Sequence, residues 1–208
     1  MRRLKLYDFP RSSASYRVRI ACNLKGVEYE KVLVNFREDA QRSPEYLKLN
    51  PSGLLPFLDL GEGHGLSQSL AILRYLDRVH PEAPLFPKSA TDECAVWEMA
   101  LMIACDVHPL NNLRVLNYLK HELGVSDNAR NAWYSHWIRL GFEALEAKVC
   151  AQGSRFCYGD SVTAVDVCLV PQLYNARRFK VPLDDFPGLV AVDAQLRKQK
   201  AFSDARPD

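Results

Sequence analysis

The stretch Phe9-Pro10-Arg11-Ser12-Ser13-Ala14-Ser15-Tyr16-Arg17-Val18-Arg19-Ile20-Ala21 says more about this chain than any other. A short apolar strand pattern, Leu4-Lys5-Leu6-Tyr7, precedes it, and an apolar helical spacing at Val18, Ala21 and Cys22 leads out of it to Lys25-Gly26. Arg11, Ser12, Ser13 and Ser15 therefore crowd a strand-to-helix turn. The first N–H groups of a helix have no partner inside it and carry partial positive charge, so hydroxyls beside them favour an anion. Helix capping is the plain alternative, since Ser is a common cap. Three serines and an arginine within five residues exceed what one cap uses, and this favours an anion or thiolate site.

Outward from this turn, residues 4–7 predict a strand and 14–25 a helix ended by Gly26. Residues 28–34 alternate and predict a second strand, 44–49 a short helix, and 54–60 a third strand. The turn Gly61-Glu62-Gly63-His64-Gly65 predicts a hairpin into a short fourth strand. Helical spacing of Leu70, Ile72, Leu73 and Leu76 follows over 67–79. The order is βαβ, then ββα. Residues 80–90 hold three prolines in eleven positions, which marks a linker at 81–90. Beyond it the pattern is helical: one long helix from about 92 to 123, stopped by Gly124, and a second over 128–150 with Trp133, Trp137, Leu140 and Ala144 on one face. Thr163-Ala-Val-Asp166 resembles a capping box ahead of the apolar run 167–170, and Pro187 opens a last helix into Leu196. The fold class is α+β: a mixed domain over 1–80, the linker, and an all-helical domain over 91–208.

Composition excludes several functions. A chain of 208 residues, 48% apolar and 25% charged, is ordinary for a globular protein with a proper core. A formal net charge of +2 with scattered basic residues gives no reason to invoke nucleic acid. Arg2 and Arg3 lead into a strand pattern, not the apolar core of a signal peptide. No apolar run approaches the roughly 18 residues of a membrane span. Cys22, Cys94, Cys105, Cys150, Cys157 and Cys168 form no C-x-x-C pair and no cluster with His at metal-ligand spacing. They read as reduced, mostly buried thiols of a cytoplasmic protein without a metal.

Further along, His108, Asn111 and Asn112 gather within about a turn of the first long helix, with His108 and Asn111 on one face. Pro109 kinks the helix there. Two readings stand: the wall of a cleft, or polar groups satisfying the backbone that Pro109 leaves open.

The motifs then meet a family. A βαβ-ββα domain, a Pro-rich linker and a helical domain is the layout of glutathione transferases. Ser12-Ser-Ala-Ser-Tyr-Arg-Val-Arg-Ile-Ala21 resembles the zeta-class signature S-S-C-x-W-R-V-R-I-A, with Ala14 where that class has Cys and Tyr16 where it has Trp. Asn50-Pro-Ser-Gly-Leu-Leu-Pro56 resembles the segment bearing the family's cis-proline, and Gln68-Ser69 its glutathione-holding pair. The runs 106–116 and 159–172, with Asn175-Ala-Arg-Arg-Phe179, resemble zeta-class helices. The resemblance spans nearly the whole chain in order. It implies a thioredoxin-like first domain, a homodimer built across the first domain and the first long helix, and membership of the class of maleylacetoacetate and maleylpyruvate isomerases.

The resemblance also implies roles. A thiol near pKa 8.5 is mostly protonated at neutral pH, while its thiolate is the nucleophile. Ser12 takes the part of donor to the glutathione sulfur, with Ser13 as the neighbouring candidate. Ala14 cannot react, so a cysteine there is not an essential nucleophile. Leu55, before a cis Pro56, offers its backbone to the cysteinyl part of glutathione. Gln68 and Ser69, at a helix start, hold the γ-glutamyl carboxylate. His108, Asn111 and Asn112 join the glutathione-binding set. Arg11, Arg178 and Arg177 are candidates for substrate carboxylates, because Arg grips a carboxylate with two parallel hydrogen bonds; Arg178 matches the family's A-x-R-F, and Arg177 is as easily solvated. Arg17 and Arg19 read as structural or interfacial, Thr163 and Asp166 as caps.

With glutathione as cofactor, the implied activity is cis–trans isomerisation of a maleyl keto acid. Conjugation or dehalogenation of small α-halo acids by the same thiolate is one alternative, and a non-enzymatic glutathione-binding protein another. A thioredoxin-type redox enzyme needs a reactive Cys near residue 12, and none is there.

Overall fold

The apolar alternation at the start of the chain becomes strand β1, Leu4–Asp8. In the computed structural model, which describes residues 4–207 apart from the side chain of Arg37, β1 lies inside a four-stranded sheet. Arg2 and Arg3 lie outside the described residues. The sheet order is β2-β1-β3-β4, with β2 at Tyr29–Leu33, β3 at Phe57–Gly61 and β4 at His64–Ser67. β1 and β2 are parallel, and helix α1, Ser13–Leu24, connects them. β3 runs antiparallel to β1 and to β4. Helices α2, Pro44–Leu49, and α3, Ser69–Val79, complete the expected βαβ-ββα order.

The third strand begins at Phe57, three residues later than the alternation suggests. Pro56 has no N–H to give to a ladder. The Leu54 carbonyl is taken by side chains, accepting from Tyr46 Oη at 2.6 Å and Asn50 Nδ2 at 2.7 Å. Successive strand residues face opposite sides. Tyr7 and Phe57, paired across β1 and β3, pack with Tyr46 of α2 and with Val34 and Leu55. Leu6 and Leu58, the next pair, point the other way and are fully buried, as are Val18 and Ile20 of α1 and Ile72, Leu73 and Leu76 of α3.

The chain divides into two compact units: one runs to Leu85 and includes the chain from Lys198 onward, the other is Phe86–Arg197. This differs from the expected division, which put the last residues with the helical domain. The reason is a set of tail contacts to α1. Helix α9, Lys200–Ser203, carries the fully buried Phe202. The Tyr16 hydroxyl donates to the Phe202 carbonyl at 3.3 Å, Asn23 Nδ2 to Ala201 O at 2.9 Å and Arg19 Nε to Ala205 O at 2.9 Å. The Pro-rich segment is anchored too. Leu85 is buried and its N–H donates to Asp77, while Phe86 stacks on Trp97.

The second unit holds α4, Ala90–Leu101, α5, Leu113–His121, α6, Asp127–Gln152, α7, Ala164–Arg178, and α8, Pro187–Leu196. The single long helix expected over 92–123 is therefore broken. Residues 102–107 form a π-helical turn in which the His108 N–H reaches the Ile103 carbonyl. Residues 109–111 form a 3-10 turn, and Asn112 is extended and caps α5. Pro109 is the cause: it lacks an N–H and its ring crowds the carbonyl four residues back, so regular helix cannot pass. α6 packs against this irregular turn at Gly141, where a Cβ would come within 2.1 Å of Val107 Cγ2. α7 is the central helix of this unit, buried without interruption from Ala164 to Leu173. All six cysteines are free, and Cys94, Cys105 and Cys150 are exposed, so the thiols are not mostly buried as composition suggested.

Candidate active site

The register of the sheet gathers three loops. Phe57 pairs with Tyr7 on one side and with Ser67 on the other. The end of β1, the start of β3 and the end of β4 thus lie side by side. β1 continues into Ser12, β3 follows directly on Leu55-Pro56, and β4 continues into Gln68 and Ser69. Residues scattered over nearly 60 positions meet at one end of one sheet.

Ser12 is the N-cap of α1. Its Oγ accepts from the Ser15 N–H at 3.2 Å. A hydroxyl also has one proton to donate, and that of Ser12 makes no hydrogen bond within the described residues. Capping and donation to a ligand are therefore compatible in one side chain. Ser13 is buried. Arg11 is exposed and forms no ion pair with a described residue. No acidic residue occupies the first turn of α1.

The Leu55-Pro56 peptide bond is cis. Gln68 stands at φ +68° and ψ 113°. A non-glycine residue there is strained by an amount on the order of 1 kcal/mol or more, and such outliers cluster at ligand clamps. Ser69 begins α3, is buried, and accepts at Oγ from Arg17 Nη1 at 3.1 Å. α3 also has no acidic residue in its first turn.

The remaining candidates belong to the second unit, and several have structural work. Asn111 is buried, donates from Nδ2 to the Tyr134 carbonyl at 3.2 Å, and so ties the 3-10 turn to α6. Trp133 Nε1 donates to Leu110 O at 2.9 Å beside it. Asn112 caps α5 by accepting from Arg114 N. Asn112 thus serves backbone of the restarted helix, whereas Asn111 reaches a carbonyl of α6 and not the backbone that Pro109 leaves open, and the expected shared helical face of His108 and Asn111 is lost with the helix. His108 is half-buried. Arg177 must be withdrawn from the substrate set, because its guanidinium pairs at 2.8 Å with the buried Asp193, which also accepts from Arg197. Arg178 is exposed, forms no ion pair with a described residue, and lies over the Phe179 ring, which in turn stacks on Tyr134. Burial raises the Tyr134 phenol pKa and the Arg178 charge opposes that rise.

No thiol of the chain is poised to act as nucleophile where a shift is resolved. Burial pushes the Cys22 thiol up to about 12 and Cys157 well above the usual range, and the hydrogen bond to Glu146 raises Cys150. An open groove of about 690 Å³ includes Lys5, Glu30, Lys48 and Asp59 but none of the expected site residues. Its lining mixes both signs of charge, so the convergence of loops is the better guide. No group of three or more His, Cys, Asp or Glu among the described residues is placed to hold a metal. Arg17, read from the sequence as structural or interfacial, is buried in α1, where residues 13–22 are buried without interruption, and its Nη1 reaches Ser69 Oγ.

Comparison with known proteins shows the family. Residues 2–78 match the family described as glutathione S-transferase, N-terminal domain. A probable maleylacetoacetate isomerase of Vibrio cholerae is 46% identical over 100% of this chain and 97% of its own length. A solved holo maleylpyruvate isomerase, described as a bacterial glutathione S-transferase of the zeta class, superposes with TM-score 0.95 at 41% identity, covering 98% of this chain and 96% of that one. A maleylacetoacetate isomerase of Anaeromyxobacter dehalogenans, solved with dicarboxyethyl glutathione and citrate in its active site, gives TM-score 0.88 at 34% identity, covering 99% and 91%.

Proposed function

Because this chain belongs to the glutathione S-transferase family, among its zeta-class maleylacetoacetate and maleylpyruvate isomerases, we propose that it is a glutathione-dependent cis–trans isomerase of a maleyl keto acid. The observation that carries the reading is the Tyr7–Phe57–Ser67 register, which sets a free hydroxyl donor, a cis-proline loop and an acid-free helix start side by side. Bound glutathione supplies a thiolate that adds to the conjugated double bond, leaving a single bond that rotates, and departs by elimination, so that it is regenerated.

The protein's part is to bind, orient and stabilise. The Ser12 proton donates to sulfur and lowers the cost of the thiolate, helped by the positive end of α1. Ser13 is the neighbouring donor. The backbone of Leu55 pairs with the cysteinyl unit. Gln68, Ser69 and the first N–H groups of α3 take the γ-glutamyl end. His108 belongs to the glutathione-binding set, with Asn111 and Asn112 fixing the turn that bears it. Arg11 and Arg178, the guanidinium groups among the candidates that no carboxylate engages, serve the substrate's carboxylates. Exposed Leu101, Leu113 and Tyr118 supply apolar surface for a homodimer, and sedimentation at micromolar concentration checks it: a monomer there refutes it. No helix among the described residues is long and apolar enough to cross a membrane; cytoplasmic action in aromatic amino acid catabolism fits the reading.

The test is incubation with maleylacetoacetate and with maleylpyruvate, with and without glutathione, following product and free thiol. Isomerisation that requires glutathione while free thiol stays constant is expected. Thiol loss matching substrate loss would turn the assignment to conjugation.

A further inference from the structure

We propose that Arg17 is a positioning residue: a buried positive charge beneath the start of α3 that makes this end of the site selective for the α-carboxylate of the γ-glutamyl group. The inference rests on the glutathione reading above. Arg17 is 1% exposed. Its guanidinium has five N–H donors, of which Nη1 reaches Ser69 Oγ at 3.1 Å, while Nε and Nη2 are buried without a partner. No carboxylate of a described residue pairs with it. A guanidinium does not lose its proton in a protein, so the charge remains, and a buried charge without a counter-ion is strongly unfavourable.

Arg19, two residues on, shows what a purely structural arginine does in this helix. Its Nη1 pairs with Asp8 at 2.6 Å, its Nη2 donates to Pro10 O at 2.9 Å and its Nε to Ala205 O at 2.9 Å. Every nitrogen is used and the charge is neutralised. Arg17 differs on both counts, and its single bond goes to the residue that opens α3. Since Ser69 Oγ accepts from Arg17, its own proton is directed elsewhere and is strengthened as a donor by the charge behind it. An anion held by Ser69 and the first N–H groups of α3 supplies the missing counter-charge.

The test compares glutathione with 4-aminobutanoyl-cysteinylglycine, which lacks only that carboxylate, by calorimetric titration. The wild-type protein should bind glutathione at least about tenfold more tightly, the scale of one charge-assisted hydrogen bond. Arg17→Met should abolish most of that preference by weakening glutathione and leaving the analogue within about twofold. Arg17→Gln, which keeps an amide donor for Ser69 and lacks the charge, should do the same if the Met variant does not fold. Arg17→Lys should retain part of the preference. Equal losses for both ligands would make Arg17 a packing residue and overturn the proposal. A wild-type preference below threefold overturns it without any variant. Failure of the wild-type protein to bind either ligand would instead overturn the glutathione reading.

Discussion

Two helix starts of each unit are finished differently. In the second unit, α7 opens on Asp166, whose carboxylate accepts from the Thr163 N–H at 2.7 Å, Thr163 Oγ1 at 3.0 Å and the Cys157 N–H at 3.0 Å. α8 opens against Glu146 of α6, which accepts from the N–H groups of Gly188 and Leu189 at 2.7 and 2.8 Å. Each positive helix end is met by a carboxylate of the protein itself. Burial raises the Asp166 pKa, and the hydrogen bonds it accepts oppose that rise. In the first unit, α1 and α3 open on serine and glutamine, with no acid in either first turn. The same electrostatics serves stability at α7 and α8 and leaves room for a ligand's charge at α1 and α3.

The largest expected effect tests the ligand-directed kind. Ser12→Ala should lower turnover on the order of 100-fold, as loss of one donor to a developing anion does, while glutathione affinity measured by titration changes little. If Ser13→Ala shows that loss and Ser12→Ala does not, the two roles are exchanged. Retained turnover in both would place thiolate activation elsewhere and break the comparison.

Asp166→Asn tests the self-satisfied kind. Its amide NH2 must face an N–H donor, leaving a buried group unsatisfied at about 2 kcal/mol. A fall in Tm of roughly 4–8 °C should follow for a protein of this size, with turnover per folded molecule unchanged. A variant that keeps its Tm but loses activity would make α7's start part of the site.

Smaller effects separate the two adjacent arginines of α7. Arg178→Lys keeps the charge and loses the planar fork, and should raise KM for the maleyl substrate by about tenfold with glutathione affinity spared. Conjugation of an uncharged electrophile should suffer less; equal losses would make Arg178 a support of the fold. Arg177→Ala should do the reverse, costing about 1 kcal/mol in a denaturation midpoint and leaving KM alone, because Asp193 keeps Arg197.

Legibility followed the range of the interactions. Ser12 was readable as a cap because that role acts within one turn, and the Thr163–Asp166 box because its partners are three residues apart. The break at Pro109 was readable as a kink but not as a π turn, a 3-10 turn and a fresh helix, since close packing of Gly141 against Val107 involves a different helix. The family motif singles out Arg178 in the sequence, but nothing there gives Arg177 a partner. Only the fold brings Asp193 to Arg177 and leaves Arg178 over an aromatic ring.

The sequence by itself determined the order of strands and helices, the local caps, and through its motifs the family. These depend on periodicity and on contacts a few residues long, which any copy of the segment carries with it. Tertiary structure alone decided which charges are spent and which remain. The last residues return to α1, occupying Arg19 at Ala205, while α3 comes to Arg17 and brings it one hydroxyl and no counter-charge. Two arginines two positions apart in one helix thereby acquire different work, because a charge is satisfied by neighbours in space and the chain's order does not name them.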